Sequence, residues 1–146
     1  MKKFLLYLWQ LPQNILGLLV IWFTKAQKIH YIDSNRMIVY NYWLSEKYRF
    51  GVSLGKYIIF GGKDPNRCSI LHEKGHQVQS KRLGWLYLII IGLPSITFNI
   101  GDTLFHKNWS VEDRLKWYYN LPWEKNANKQ YGITWKEIYY GKKDEL

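Results

Sequence analysis

Two stretches of this chain carry no charged side chain: the 21 positions from Phe4 to Thr24 and the 19 from Leu83 to Gly101. An uncharged run of about 20 residues is long enough to cross the apolar centre of a bilayer, so each stretch must become core or meet lipid. Neither is a clean span. Gln10-Leu11-Pro12-Gln13-Asn14 interrupts the first and Gly92-Leu93-Pro94-Ser95 the second, so each reads as two short apolar pieces around a break. Such pieces suit buried helices, re-entrant hairpins or interfacial helices, and periodicity does not choose among these. Trp9, Trp22, Trp85 and Tyr87 lie near segment ends or beside basic residues, where amphipathic rings favour a headgroup layer. The expectation is a membrane-associated chain, at the cell membrane, with lipid as a partner. The competing expectation is that both pieces cover the core of a small soluble domain.

The remaining composition narrows the class. With 146 residues, 47% of them hydrophobic and 18% aromatic, the chain suits one domain with a modest core, not a disordered tract. The single domain is expected over residues 1–146, with 1–25 and 83–101 as its apolar segments. A formal charge of +10 suggests nucleic acid, yet basic residues never run longer than the pairs Lys2-Lys3, Lys81-Arg82 and Lys142-Lys143, and no basic stripe forms. Scattered positive charge around greasy segments matches an anionic membrane face better than a phosphate track, and no nucleic-acid partner is expected. One cysteine, Cys68, excludes an intramolecular disulfide and any zinc site built on two or four cysteines. The order Met1-Lys2-Lys3 then Phe4 to Trp9 resembles a signal sequence with no convincing cleavage site, and is expected to be retained. The ending Lys143-Asp144-Glu145-Leu146 matches the endoplasmic-reticulum retention address, a low-weight alternative for location.

The fold class is α+β. Arg36 to Trp43 is rich in β-branched and aromatic residues and reads as a strand; Gly51 to Gly62 reads as a second strand or a hairpin broken at Gly55. A helix is expected from about Pro65 to Leu83, another capped by Ser110 with Glu112 and Asp113 in its first turn, and a last one from Leu121-Pro122 to Gly132.

The helix from Pro65 holds His72-Glu73-Lys74-Gly75-His76. A spacing of four puts the two imidazoles about 40° apart on one helix face, where they can grip one ion. Neutral imidazole suits Zn²⁺, and Glu73 beside the first ligand can act as the general base of a hydrolysis. Cys68, Leu71, Gly75, Val78 and Arg82 share a packing face, Lys74, Gln77 and Lys81 gather on another, and Ser69 and Gln79 lie near the histidines. Gly75 costs helix propensity, and the return expected for it is close approach of another backbone or side chain.

A catalytic zinc needs a third protein ligand. Arg82 and Gln79 stand where a metzincin would place His and Gly, so that subclass is excluded. His30 and His106 are candidates without a helical context to aim them. Glu124, 48 residues after His76, is better placed, because Glu124 and Asn128 share a helix face with small Ala127 between them. The carboxylate would complete a His₂Glu site, and the Asn128 oxygen would hold a ligand imidazole. The bland reading of Glu124 is a solvated carboxylate favoured by the helix dipole.

Here the chain resembles the gluzincin metallopeptidases of the short, membrane-associated kind, whose signature is His-Glu-x-x-His on one helix and Glu-x-x-Ala-Asp on a later one. The matching residues are His72 to His76 and Glu124-Lys125-Asn126-Ala127-Asn128, with Asn128 in place of Asp. The resemblance implies a minimal zincin-like domain, a small β-sheet packed on the active-site helix and a second ligand helix. It implies His72, His76 and Glu124 as zinc ligands, Glu73 as catalytic base, and a peptide or protein substrate lying antiparallel to an edge strand within Gly51 to Phe60. An oxyanion-stabilising tyrosine would come from a set that includes Tyr118, Tyr119, Tyr139 and Tyr140. The alternative is a non-catalytic basic membrane protein whose metal site is structural or vestigial.

Overall fold

The computed structural model describes residues 2–25, 28–33, 36–41, 50–61 and 65–141. Tyr42, Trp43 and the 143–146 tail, on which two expectations rest, lie outside them. Helices α1 (Lys2–Trp9) and α2 (Leu11–Phe23) precede strands β1 (Lys28–Asp33), β2 (Arg36–Asn41), β3 (Phe50–Leu54) and β4 (Tyr57–Gly61). Helix α3 (Arg67–Leu83) leads into a 3₁₀ turn (Gly84–Leu86), a π-helical stretch (Leu88–Gly92) and α4 (Leu93–Phe105). Then follow α5 (Val111–Tyr119), α6 (Pro122–Lys129) and α7 (Trp135–Tyr140).

The four strands form one mixed sheet in the order β1-β2-β4-β3, with β2 and β4 parallel and the outer pairs antiparallel. The expected second strand is the hairpin β3–β4, turned at Gly55, whose φ of 61° is one that L side chains avoid. Of the stretch Gly51 to Phe60 only β3 is therefore an edge, opposite the other edge β1, and Tyr57 to Phe60 lies inside the sheet. Side chains alternate along β4: Ile58 and Phe60 join Ile38 and Tyr40 against Ile70 of α3, while Tyr57 and Ile59 join Val39 and Leu54 against Val20, Ile21 and Leu88. With helices on both faces, β4 is buried along its whole length. Strand β1 was not legible in the sequence, because Lys28-Ile29-His30-Tyr31-Ile32-Asp33 is too short and polar to stand apart from a loop; its pairing with β2 creates it.

The apolar segments are packed inside out. Helix α2 buries Gln13, Asn14 and Gly17, while Ile15, Leu16, Leu18, Leu19, Trp22 and Phe23 are exposed. The polar residues that interrupt the first segment are its docking face. Gln10 donates to Ser80 Oγ (2.6 Å), Gln13 to the Gly84 carbonyl, and Asn14 Oδ1 accepts from the Lys56 amide (2.9 Å) at the hairpin turn. The second segment is not two pieces. The chain stays helical from Leu88 to Phe105: the wider π-helical stretch Leu88–Gly92 lies directly before Pro94, where a residue with no amide N–H and a bulky ring would disturb a regular turn. This one helix is long and apolar enough to cross a membrane, with a mean hydropathy of 1.5 and only 11% of it buried; α1 and α2 together would pass as a second span, bent by 81°. Tyr87 is not at a surface: it is buried, with its hydroxyl donating to the Ser53 carbonyl.

Helices α3 and α6 meet at Gly75 and Ala127. A Cβ on Gly75 would fall inside the Ala127 carbonyl, so the glycine permits the close approach the sequence suggested. The contact is backbone against backbone and has little room to yield. Gly75→Ala, which on an exposed helix would stabilise, is expected to destabilise by about 1–3 kcal/mol, measured by chemical denaturation.

Candidate metal centre

Asn66 caps α3 by accepting from the Ser69 amide (2.8 Å), which starts the helix two residues after the expected Pro65 and sets its phase. That phase turns His72, Glu73 and His76 inward, all of them buried. Leu121 precedes Pro122 at the start of α6, and the first turn of that helix carries Glu124 into the same space, where it is 0% exposed. The solvated reading of Glu124 is therefore overturned. Its Oε2 lies 3.2 Å from His72 Nε2 and 3.1 Å from His76 Nε2. A tetrahedral ion with bonds of about 2.0 Å has ligand atoms about 3.3 Å apart, so the two N-to-O distances fit one ion with little movement. All three donor atoms lie within 4.8 Å of one another.

Each imidazole is held from behind. His72 Nδ1 donates to Asn128 Oδ1 (2.7 Å) and His76 Nδ1 to Gln79 Oε1 (2.8 Å), which leaves both Nε2 atoms directed at Glu124. The Gln79 amide is fixed in turn, because its nitrogen donates to the Trp123 carbonyl (2.8 Å) and Asn126 Oδ1 (3.0 Å). Asn128 takes the position its spacing gave it. Gln79, three residues past His76, is near the histidines by spacing alone, but its anchorage comes from the first turns of α6. Ser95 has no sequence signal for its role here, and Tyr118, one of the tyrosines expected at the oxyanion, is found on the ligand carboxylate instead: Ser95 Oγ donates to Glu124 Oε1 (2.6 Å), and the Tyr118 hydroxyl donates to the same oxygen (3.0 Å).

Burial alone would lower the proton affinity of His76, but the Glu124 carboxylate beside it overcomes this and holds its pKa at about 9. Burial would raise Glu124, and the two histidines overcome it to keep the carboxyl well below its usual range. Glu73 goes the other way: burial pushes it up more than His72 and His76 pull it down. Its Oε2 finds no hydrogen-bond partner among the described residues. Glu73 lies under β3, where a Cβ on Gly51 would collide with its carboxylate, so the strand passes directly over the site because residue 51 has no side chain. A cleft of about 370 Å³ opens there, lined by Phe50, Gly51, His72, Glu73, Tyr119 and Tyr139 among others.

Two other histidines stay apart. His30 on β1 packs against the Tyr40 ring, and His106 pairs with Asp102 (3.1 Å) and stacks on Trp109. Of the tyrosines, Tyr118 is occupied with Glu124, and Tyr119 and Tyr140 line the cleft with Tyr139. Helix α7, which brings the last two there, has a full capping box at Thr134 and Glu137. That box was readable as Thr-x-x-Glu.

No protein-family model, no curated protein and no solved structure matches this chain. The donor set fits a divalent ion on its own chemistry: two neutralisable imidazoles, one buried carboxylate and an unsatisfied carboxylate oxygen beside them. Binding requires His76 to give up its proton. Since a pKa of about 9 leaves it protonated at neutral pH, titration with Zn²⁺ at pH 7.5 is expected to release about one proton per ion from it. Calorimetry in buffers of different ionisation enthalpy reads this, at one ion per chain. Glu124→Ala should lose both the uptake and the proton release.

Proposed function

We propose that the chain is a membrane-associated zinc endopeptidase. The observation that carries the reading is the convergence of His72, His76 and Glu124 in one buried cluster with Glu73 beside it on the floor of an open cleft. A zinc ion held by the three ligands would supply Lewis acidity, polarising a peptide carbonyl and acidifying water. The chain's own residues do the rest. Glu73, lifted in proton affinity by burial, takes the proton from the attacking water as the carbon–oxygen bond forms, and passes it to the amide nitrogen as the carbon–nitrogen bond breaks. Its unpartnered Oε2 is free for that exchange. Asn128 and Gln79 hold the ligand imidazoles in one tautomer; both are neutral, so neither adds charge to the histidines.

The edge strand Phe50–Leu54 pairs only with β4 among the described strands, which leaves its other side for an extended peptide. Backbone pairing there recognises a main chain with little sequence preference. The open cleft supports the catalytic reading over a structural or vestigial metal, since a stapling site has no use for access at Glu73.

Lipid is supported by the reversed burial of the apolar helices. In water, α2 would bury Ile15, Leu16, Leu18 and Leu19 rather than Gln13 and Asn14. The scattered +10 charge favours an anionic surface.

Glu73→Gln should keep its zinc and lose about 10²–10⁴ in hydrolysis of an unfolded protein substrate, read by fluorescence release. Activity that survives this change would contradict the assignment of the base. In flotation assays the full chain should rise with phosphatidylglycerol vesicles, and salt should weaken that binding only in part, because apolar contact supplies the remainder.

A further inference from the structure

Helix α4 faces the body of the protein along one narrow stripe, Ser95, Phe98 and Asp102, spaced by three and four residues. Asp102 pairs with Arg114 of α5 at 2.6 Å, and Phe98 packs on Trp117 and Trp123. Leu93, Ile96, Ile100, Leu104 and Phe105 remain exposed. Ser95 is the member of the stripe that reaches the metal centre. Its Oγ lies 2.6 Å from Glu124 Oε1 and 2.8 Å from the Tyr118 hydroxyl, which is itself 3.0 Å from the same Oε1.

A carboxylate offers two oxygens, and these hydroxyls claim one. With Oε1 held by Ser95 and Tyr118, only Oε2 is presented to the two imidazoles. Released, the carboxylate could rotate and bring both oxygens toward the ligand centre, filling the position a reacting water needs, or swing away from it. We propose that Ser95 is a positioning residue that holds Glu124 as a one-oxygen ligand and ties the metal site to the seat of the exposed helix α4. The inference rests on the metal-centre reading above. It adds that a residue of the apolar segment, not of the histidine motif or its partner helix, sets the geometry of the third ligand.

The test uses the full chain reconstituted in phosphatidylglycerol vesicles and does not depend on proteolysis. Zinc affinity is measured by competition with a chromogenic chelator, and coordination by the visible absorption of the cobalt-loaded protein. Ser95→Ala should weaken zinc binding by about 10–100-fold and change the cobalt bands from a four-coordinate to a higher-coordinate pattern, while Ser95→Thr restores both. Should Ser95→Ala fail to fold by circular dichroism, Tyr118→Phe removes the second hydroxyl from Oε1 and should move both readouts in the same direction. Wild-type affinity and an unchanged cobalt spectrum in a folded Ser95→Ala, or in Tyr118→Phe where that variant is needed, would overturn the proposal while leaving the metal centre standing. A wild type that takes up no zinc would overturn the metal-centre reading, and this inference with it.

Discussion

A carboxylate withdrawn from water must be paid for by its neighbours, and Glu124 is withdrawn completely. Its two oxygens are met by four groups from three helices: His72 and His76 of α3, Ser95 of α4 and Tyr118 of α5. Glu124 itself belongs to α6, so one side chain draws four helices to a point. Removing one partner would leave a buried charge uncompensated, which costs several kcal/mol by the usual measure. A metal ion and a proton are interchangeable solutions to the same constraint. A proton on His76 neutralises the pair, and its raised affinity expresses that need.

The same economy of burial explains the helices that flank the sheet. A helix in water hides its apolar stripe; α2 and α4 hide Gln13, Asn14, Ser95 and Asp102 and leave their apolar stripes outside. Asn14, Ser95 and Asp102 have named partners and Gln13 donates to the Gly84 carbonyl, although its buried Oε1 has no partner among the described residues. The buried polar seam of Gln10, Gln13 and Ser80 also anchors the far end of α3, which keeps the histidine-bearing helix from rotating. The exposed apolar helices and the helix that carries the histidines are therefore tied together by buried hydrogen bonds.

How much of this was legible in the sequence depends on whether the signal was local. The cap at Ser110 and the inward face of α3 that carries His72 and His76 are legible because a helix repeats every few residues, while Gln77, grouped with the lysines, is buried against the Gly55 carbonyl and Arg82, grouped with the packing face, is exposed. The convergence of Glu124 with His72 and His76 was also legible, since both motifs place ligands at fixed angles on a helix, and Gly75 with Ala127 marked where those helices touch. Ser95, the anchorage of Gln79 on α6 and strand β1 are not legible for the opposite reason. Ser95 belongs to the Gly92-to-Ser95 interruption and acts on a carboxylate 29 residues away on another helix, and β1 exists only by pairing. The polar interruption at Gln10 to Asn14 marks a true break, since α1 and α2 meet there at 81°, and it has a second role that no local pattern shows: Gln10, Gln13 and Asn14 are also the face that docks.

The central claim is that His72, His76 and Glu124 hold zinc with one position left open beside Glu73. X-ray absorption at the zinc edge of the loaded protein addresses it directly. Expected are four light scatterers at about 2.0 Å, with the outer-shell pattern of two imidazoles, and a fourth ligand, an oxygen, that exchanges for an added thiolate inhibitor. A shell of four protein donors that no inhibitor alters, or a spectrum unchanged by Glu124→Ala, would contradict it.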